Sequence, residues 1–352
     1  MGEHKMKMVY GPVPSRRLGR SLGVNLIPLK TCNYSCVYCQ LGRATRMTNQ
    51  RRDFFPPEEI LNEIKRAIEV KGGRGGGEID FVTFIGEGEP TLCKSIGWLI
   101  RETREIADTP IAVDTNGSLL YRKDVRDDLL QTDVVMPSLD AGTAETFRRI
   151  NRPHREIGFK NVVEGMERFR QEYAGEIWLE VMLVKGINDS EKELEAIRSR
   201  LEKIEPDRIY INVPIRPPAE SWAVPPDNEA IALAHAILGD GNVIDIAAEE
   251  TGEFSIEGFT NPRDAILAII RRHPMREEQV IETLKKFEVG EGNVRDILTR
   301  LEESGKIKKA KYREKVFWLT VEEKRNECAH LNMNRSQHEL IKKEDHQTRN
   351  MK

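Results

Sequence analysis

The feature that most restricts the fold is an alternation of short apolar segments with amphipathic helical segments. The apolar segments lie at 22–29, 79–85, 111–113, 133–136, 177–184 and 208–213. Short continuous apolar runs are typical of strands that are buried on both faces of a parallel sheet. About six βα units in succession therefore predict parallel strands with helices outside them. An open barrel and a doubly wound sheet both fit, because periodicity does not encode the order of the strands.

Three of the five cysteines lie close together, immediately after the first predicted strand. Cys32, Cys36 and Cys39 follow the spacing C-x3-C-x2-C, and thiolates this close together can hold a metal or a cluster from one loop. No fourth cysteine lies nearby, which favours a cluster with one iron open to an exogenous ligand. The alternative is a zinc site completed by Cys93 or a distant histidine, although the second C-x2-4-C pair of many zinc sites is absent.

Polar residues follow the predicted strands, at the edge where parallel α/β folds bind their ligands. The segment Gly88-Glu89-Pro90 follows the second strand, where a glycine allows close backbone approach and a carboxylate can accept hydrogen bonds from an ammonium group. The residues after the third and fourth strands are Asn116, Ser138 and Asp140. The alternatives are a solvated glutamate in a glycine turn, an Asn-Gly turn at Asn116, and Asp140 as a helix N-cap.

Three arginines precede the first predicted strand, within a segment rich in proline and glycine at 11–20. Such a composition predicts a rigid basic loop rather than a helix. Arg16, Arg17 and Arg20 are either solvated or serve as guanidinium donors to a carboxylate or phosphate of the substrate or cofactor. The sequence leaves both interpretations open.

A different pattern after the last βα unit predicts a second, smaller domain. Asn261 and Pro262 are typical of an N-cap and a first helical residue. Two more helices and a basic hairpin follow, and three helices with a hairpin resemble a winged helix. We predict domains at 10–247 and 261–320, a linker at 248–260 and a disordered tail at 321–352. The basic hairpin can bind phosphates, or it is solvated or serves to dock a protein. RNA, DNA or protein is therefore the expected partner of 261–320.

Composition excludes several classes of protein. A formal net charge of -3 over 352 residues gives no general electrostatic argument for nucleic-acid binding. No apolar run is long enough to span a membrane, and the first residues lack the core of a signal peptide. The cysteines do not form a disulfide pattern, so we expect a soluble cytoplasmic protein without a membrane partner.

The cysteine motif, with Tyr38 directly before its last cysteine, resembles the signature of the radical S-adenosylmethionine (SAM) superfamily. The resemblance implies a partial (β/α)6 barrel of parallel strands, followed here by the small winged-helix-like domain. It also implies a [4Fe-4S] cluster on the three cysteines, with SAM chelating the fourth iron. Family members use a Gly-Gly-Glu-Pro segment to hold the SAM amino group. This role therefore falls on Gly88, Glu89 and Pro90, although Glu87 replaces the first glycine.

Further roles are implied by the same resemblance. Asn116, Ser138 and Asp140 are expected to line the cofactor, and the segment 185–189 is expected to pack near its adenine. The segments 11–19, 30–34 and 88–92 resemble a mostly archaeal, uncharacterised group related to wyosine-synthesis and nitrogenase-cofactor radical enzymes. Those two activities use additional cysteines for further clusters, and this chain has none to spare, so neither activity is transferred.

The implied function is reductive cleavage of SAM to a 5′-deoxyadenosyl radical that abstracts hydrogen from an unidentified substrate. RNA or a peptide is the expected substrate and a small metabolite is the rival, whereas no catalytic side chain is assigned. A ferredoxin- or flavodoxin-type protein is the expected low-potential electron donor. Two other classes are an iron–sulfur redox sensor that binds DNA through the C-terminal module, and an electron carrier.

Overall fold

The computed structural model describes residues 8–71, 79–239, 243–245, 261–272, 274–285, 287, 289–312 and 315–321. The predicted linker at 248–260 lies outside the described residues, as does all of the predicted tail except Val321. Two groups of elements with separate apolar cores, an N-terminal and a C-terminal group, lie on either side of that linker.

The N-terminal group is built on an eight-stranded sheet. Its strands are β1 (Val9–Ser15), β2 (Gly19–Val24), β5 (Phe81–Phe84), β6 (Ile111–Thr115), β7 (Val134–Pro137), β8 (Glu176–Met182), β9 (Arg208–Asn212) and β10 (Val243–Asp245). They lie in the order β1-β2-β5-β6-β7-β8-β9-β10. Strand β1 is antiparallel to β2, and all other neighbours are parallel. Two short strands, β3 (Thr31–Cys32) and β4 (Arg46–Met47), pair separately.

Helices follow the parallel strands. They are α1 (Pro57–Lys71), α2 (Ile96–Ile106), α3 (Lys123–Leu129), α4 (Ala144–Ile150), α5 (Phe159–Glu172), α6 (Glu191–Ile204) and α7 (Asn228–Leu238). Each longer helix buries one apolar stripe, such as Ile60, Leu61 and Ile64 in α1. Because the six predicted strands are neighbours in chain order, the doubly wound alternative is wrong, and the sheet fits an open partial barrel.

The segment predicted as a basic loop at 11–20 is instead a β-hairpin of β1 and β2. Pro12 and Pro14 cannot donate backbone hydrogen bonds, but β1 is an edge strand, where proline is tolerated. The hydroxyl of Ser15 accepts bonds from the amides of Arg17 (3.3 Å) and Leu18 (3.2 Å) and closes the turn. The hairpin turn therefore places Arg17 and Leu18 at the start of the barrel.

One end of the barrel interior is filled by a small set of apolar side chains, which we call the barrel plug. Its members are Leu18, Phe81, Ala112, Val134, Met136, Trp178 and Tyr210. The rings of Phe81 and Tyr210 both pack against Trp178, with centroids 6.0 Å away in each case. The plug lies toward the amino ends of the strands, so ligand access is from the carboxyl ends.

The C-terminal group contains three helices and a three-stranded sheet. In chain order it has α8 (Pro262–Arg272), β11 (Met275–Arg276), α9 (Glu277–Lys285), α10 (Glu291–Glu303), β12 (Ile307–Tyr312) and β13 (Lys315–Thr320). The sheet order is β11-β13-β12, so a third strand joins the predicted hairpin. Trp318, Leu298 and Ile266 lie in its buried core. The winged-helix assignment and the domain limits remain predictions.

Among the described helices, none combines the length and the apolar character needed to cross a membrane.

Candidate cluster and cofactor site

The cysteine loop is anchored to the end of helix α4. Ser35 N donates to Asn151 O (3.0 Å), and Val37 N donates to Ile150 O (2.9 Å). The side chain of Val37 is fully buried in the main core. Because the loop is bonded on one side and packed on the other, Cys36 has a defined position between these anchors. All three cysteines predicted as ligands lie in this loop and are half-buried.

The sulfurs of the loop accept hydrogen bonds from nitrogen donors. Tyr34 N lies 3.4 Å and Asn116 Nδ2 lies 3.7 Å from Cys32 Sγ. Asn151 Nδ2 lies 3.5 Å from Cys36 Sγ. Hydrogen bonds to cysteine sulfur are a property of iron–sulfur sites that affects the cluster's potential. The donor set therefore fits a cluster bound through thiolates.

Without a cation, the loop disfavours thiolates. Burial, and then the charge of Glu89, raise the pKa of Cys32 to about 12. Burial and then Asp140 raise the pKa of Cys36, and burial also raises the pKa of Cys39. A bound cation reverses this balance, because metal-coordinated thiols are deprotonated.

Within the described part of the chain, no three His, Cys, Asp or Glu side chains are arranged to hold a metal ion. A [4Fe-4S] cluster binds its thiolates at different irons, so their sulfurs need not converge on one atom. The fit of this loop to a cluster therefore rests on its three sulfurs and their nitrogen donors.

The Gly-Glu-Pro segment packs directly on the chain that leads into the cysteine loop. Glu89 N donates to Thr31 O (3.2 Å), and Lys30 N donates to Glu87 O (2.6 Å). A Cβ atom on Gly88 would lie 1.8 Å from Thr31 O and 2.7 Å from Ile27 Cγ2. Only glycine permits this approach, so Gly88 holds the two loops together. Pro90 begins a short 3₁₀ turn, Pro90–Leu92, and is buried.

The carboxylate of Glu89 is buried at the centre of a polar group. Its Oε1 accepts bonds from Thr91 N (3.0 Å), Thr91 Oγ1 (2.5 Å) and Thr115 Oγ1 (2.6 Å). Its Oε2 accepts one from Asn116 N (2.8 Å) and has capacity for a further donor. Burial raises the pKa of Glu89, while these hydrogen bonds oppose the increase. An ammonium group at Oε2 would stabilise the charged form.

Asn116 joins the Glu89 carboxylate to the cysteine loop. Its amide nitrogen donates to Glu89, and its side chain donates to Asn33 Oδ1 (2.8 Å) and reaches Cys32 Sγ. Its own Oδ1 accepts from Ser118 N (2.9 Å), so the Asn-Gly turn interpretation is also correct for the local backbone. Ser138 is half-buried one residue past β7, and its amide donates to Thr115 O (3.2 Å).

Asp140 lies beside the cysteine loop and is bonded by three protein donors. Tyr38 Oη (2.5 Å) and Asn151 Nδ2 (2.6 Å) donate to Oδ2, and Met182 N (2.9 Å) donates to Oδ1. Burial raises the pKa of Asp140 to about 6 against these bonds. The N-cap of α4 is Thr143, so the helix-cap alternative for Asp140 is wrong. Asp140 instead ties the cysteine loop to β8.

The segment 185–189 contacts this region through Asn188. Its Nδ2 donates to Asp140 O and to Met182 O, both at 2.8 Å. Its Oδ1 accepts from Val184 N (2.8 Å). The contacts hold the backbone of Asp140 in place, whereas the predicted adenine contact remains a prediction.

Two of the three arginines that precede the first predicted strand pair with protein carboxylates. Arg17 donates to Glu180 Oε2 (2.6 Å) and Asp114 Oδ2 (2.9 Å) inside the barrel. Arg20 pairs with Asp80 on the outer face (2.9 Å). Arg17 and Arg20 therefore pair with carboxylates of the chain itself, and not with the anion of a substrate or cofactor that the sequence suggested as one of two interpretations.

Sequence reasoning missed several members of the site. Asn33 and Asn151 carry no sequence signal, because a single asparagine in a loop is common. Glu180 did carry one, since it is a charged residue within the apolar segment 177–184. Charged residues are rarely buried without a partner, so this glutamate could have been identified as facing the barrel interior.

Comparison with known proteins places this site in a family. The model of the Radical SAM superfamily matches residues 26–196, which include the cysteine loop, Glu89, Asn116 and Asp140. A UPF0026 protein of Methanocaldococcus jannaschii is 39% identical over 318 residues, which are 89% of this chain and 96% of that protein. The chain therefore belongs to the UPF0026 family of the radical SAM superfamily.

Two further relatives are bacterial. A UPF0026 protein of Helicobacter pylori strain J99 is 32% identical over 79% of this chain and 88% of its own length. The GTPase Obg of Brachyspira hyodysenteriae is 39% identical over 86% of this chain, which spans 44% of that longer protein. The expectation of a mostly archaeal group is therefore not confirmed, and the relation to wyosine-synthesis and nitrogenase-cofactor enzymes also remains a prediction.

The cofactors of this superfamily are a [4Fe-4S] cluster and SAM. The three half-buried cysteines and the carboxylate of Glu89 are the residues of this chain that fit them. Membership also supports an enzymatic role, whereas the type of reaction and the substrate are not specified by it.

Proposed function

We propose that this protein is a radical SAM enzyme that cleaves SAM reductively and abstracts hydrogen from a substrate held in the barrel. The position of Asn116 carries the proposal. Its backbone bonds the carboxylate that matches the family's SAM-amino ligand, and its side chain reaches the sulfur of Cys32. A cofactor that chelates a cluster iron through its amino acid moiety must meet both groups at once.

The residues of the chain have distinct roles in this proposal. Cys32, Cys36 and Cys39 hold the cluster, and Glu89 accepts hydrogen bonds from the SAM ammonium group. Ser138 and Asp140 form the opposite wall of the cofactor site. When bound, the cluster and SAM supply a 5′-deoxyadenosyl radical after transfer of one electron. The protein orients these groups and excludes water from them.

The electron is proposed to come from a low-potential protein of the ferredoxin or flavodoxin type. For the substrate we propose a macromolecule, RNA or a peptide, because the C-terminal group adds a module beyond the barrel. The order of helices and strands in that group supports a winged-helix domain as this module. A small metabolite is the rival substrate class.

The test is an anaerobic reaction of the reconstituted protein with SAM and a chemical reductant. Formation of 5′-deoxyadenosine, together with a [4Fe-4S] EPR signal, is the expected result. A protein that assembles the cluster but leaves SAM intact, and binds a defined DNA site instead, would support the redox-sensing regulator. A cluster that cycles between oxidation states without SAM binding would support the electron carrier.

The substrate class is tested by incubating the active protein with RNA, protein and small-molecule fractions in deuterated solvent or with labelled SAM. Label recovered in RNA or in a peptide supports the macromolecular proposal. Label confined to the small-molecule fraction supports the metabolite alternative.

A further inference from the structure

Three ionisable side chains lie inside the barrel, between the barrel plug and the cofactor residues. Arg17 Nη1 donates to Glu180 Oε2 (2.6 Å), and Arg17 Nη2 donates to Asp114 Oδ2 (2.9 Å). The guanidinium thus bridges two carboxylates that come from different strands. We call Arg17, Asp114 and Glu180 the ionic floor.

The level of the ionic floor follows from the alternation of side chains along a strand. On β6, Ala112 belongs to the plug and Asp114 to the floor, and Asn116 of the cofactor site follows one residue past the end of the strand. Residues two apart on a strand point to the same face. Ala112 and Asp114 therefore form successive layers on one inner wall, and the chain continues from Asp114 directly into the cofactor site.

The wall formed by β8, two strands further along the sheet, has the same layering. On β8, Trp178 belongs to the plug and Glu180 to the floor, and Met182 donates its amide to Asp140. The backbone of Glu180 also bridges to Ser138, one residue past the end of β7. The ionic floor consequently lies directly beneath residues that match the cofactor site of the superfamily.

Exposure shows which side of the floor is open. The side chains of Arg17, Asp114 and Glu180 are 17%, 22% and 15% exposed. The fully buried members of the plug beneath them are at most 5% exposed. Solvent therefore reaches the charges from the carboxyl ends of the strands, which is the side that the proposed cofactor and substrate share.

The charges of the floor do not balance. Two carboxylates face one guanidinium, which leaves one negative charge in a partly enclosed space. Burial lowers the pKa of Arg17, but attraction by Glu180 and Asp114 outweighs it and raises that pKa. Burial and then the charge of Glu180 raise the pKa of Asp114 more than Arg17 lowers it, so one guanidinium does not fully stabilise the charged form of Asp114. A second cation at this place would be favourable.

We propose that the ionic floor is the substrate-binding surface of the barrel, and that Asp114 and Glu180 bind a positively charged nitrogen group of the substrate. An amine or a guanidine has both the charge and the N–H donors that two carboxylates require. Arg17 positions the two carboxylates. The proposal rests on the proposed function, because it takes the space above the floor as the reaction chamber.

A purely structural role is the competing explanation, since Arg17 also anchors the β1–β2 hairpin to the barrel. The hairpin offers a matched control. Arg20 and Asp80 form a second ion pair from the same hairpin, but on the outer face, where their side chains are 54% and 42% exposed. Loss of that pair removes a hairpin anchor without changing the charge of the chamber.

The experiment measures binding of a cationic probe to the reconstituted protein with SAM and without reductant. Agmatine, which has a guanidinium and an ammonium group, is titrated calorimetrically, with glutarate as the anionic counterpart. We expect agmatine and not glutarate to bind. Glu180→Gln and Asp114→Asn should each weaken agmatine binding by about tenfold or more, because each removes one charged acceptor. Asp80→Asn should leave it unchanged.

Several results would overturn the proposal. They are no agmatine binding at millimolar concentration, equal binding of glutarate, and undiminished agmatine binding in both floor variants. Thermal unfolding of each variant verifies that it is folded, and Asp114→Asn serves if Glu180→Gln fails to fold. Because no reductant is present, this outcome is separate from the assay of SAM cleavage. If the protein forms 5′-deoxyadenosine but does not bind agmatine, the proposed function stands and only the proposal of a cationic substrate is wrong.

Discussion

Different forces stabilise two regions of the molecule: the rim of the barrel, which includes Glu89, Thr115 and Asn116 at the carboxyl ends of the strands, and the C-terminal group. At the rim, polar side chains from distant segments bond to one another, as Glu89 does with Thr115 and Asn116. The C-terminal group is instead packed around its own apolar core, which includes Trp318 and Leu298. Directional bonds between distant residues determine positions accurately, whereas apolar packing determines stability but tolerates small shifts.

The contacts between the two regions include a few defined interactions. Tyr312 Oη donates to Pro214 O (2.7 Å), just past β9. Arg271 Nε lies 3.3 Å from Glu87 Oε1, and Glu87 is the residue that departs from the family motif. Val13 of β1 packs against the C-terminal core. The C-terminal group thus lies against the strand ends that surround the proposed chamber. Substitutions at the rim should therefore mainly weaken the binding of ligands, and substitutions in the C-terminal core should lower the stability of that group alone.

The largest effect is expected from Cys36→Ala. Loss of one of three thiolates should abolish assembly of the [4Fe-4S] cluster, because no other cysteine lies in the loop. EPR of the reduced, reconstituted variant measures it. Cys93→Ala is the matched control, since Cys93 is buried outside the loop and should leave the signal intact. An undiminished signal from Cys36→Ala would contradict the cluster assignment.

Glu89→Gln should weaken SAM binding by about tenfold to a hundredfold. The substitution removes the charge that meets the SAM ammonium group, and it places an amide among the donors from Thr91, Thr115 and Asn116. Calorimetric titration of the reconstituted variant gives the dissociation constant. Glu105→Gln, on the exposed side of α2, should bind SAM as the original protein does. If Glu89→Gln binds SAM as tightly as the original protein does, Glu89 is not part of the SAM site.

Trp318→Ala should destabilise the C-terminal group by about 3–5 kcal/mol, because it empties the centre of that core. Its side chain is 1% exposed. Hydrogen exchange should become faster in α10, while β5 and β6 remain protected and the cluster still assembles. Trp222→Ala is the control, since Trp222 is 47% exposed and should change little. Equal loss of protection in both regions would show that they unfold as one unit.

Tyr312→Phe should have the smallest effect, because it removes one hydrogen bond and preserves the ring. We expect it to weaken the contact between the C-terminal group and the barrel by about 1 kcal/mol. Faster hydrogen exchange around Pro214 and β12, without a change in the core of either region, is the expected result. If exchange remains unchanged, this bond does not hold the C-terminal group against the barrel.

The sequence predicted much of the barrel and of the cofactor site. Apolar runs identified the parallel strands because buried strands require them, and the cysteine spacing indicated the loop that is proposed to hold the cluster. The prediction was wrong at 11–20, where an edge strand accommodates two prolines that usually indicate a loop. It also missed the ionic floor, since Glu180 is a partner for Arg17 only when β2 and β8 enclose one interior.

The sequence by itself therefore indicated which residues are candidates to bind a cluster and which strand ends are candidates to meet SAM. Both properties depend on residue type and on spacing along one segment. The tertiary structure decided that Asp140 bonds Tyr38, that Arg17 joins Asp114 to Glu180, and that Glu87 meets Arg271. Each of these contacts joins residues that are far apart in the chain. Their meeting depends on strand order, register and burial, none of which local periodicity encodes.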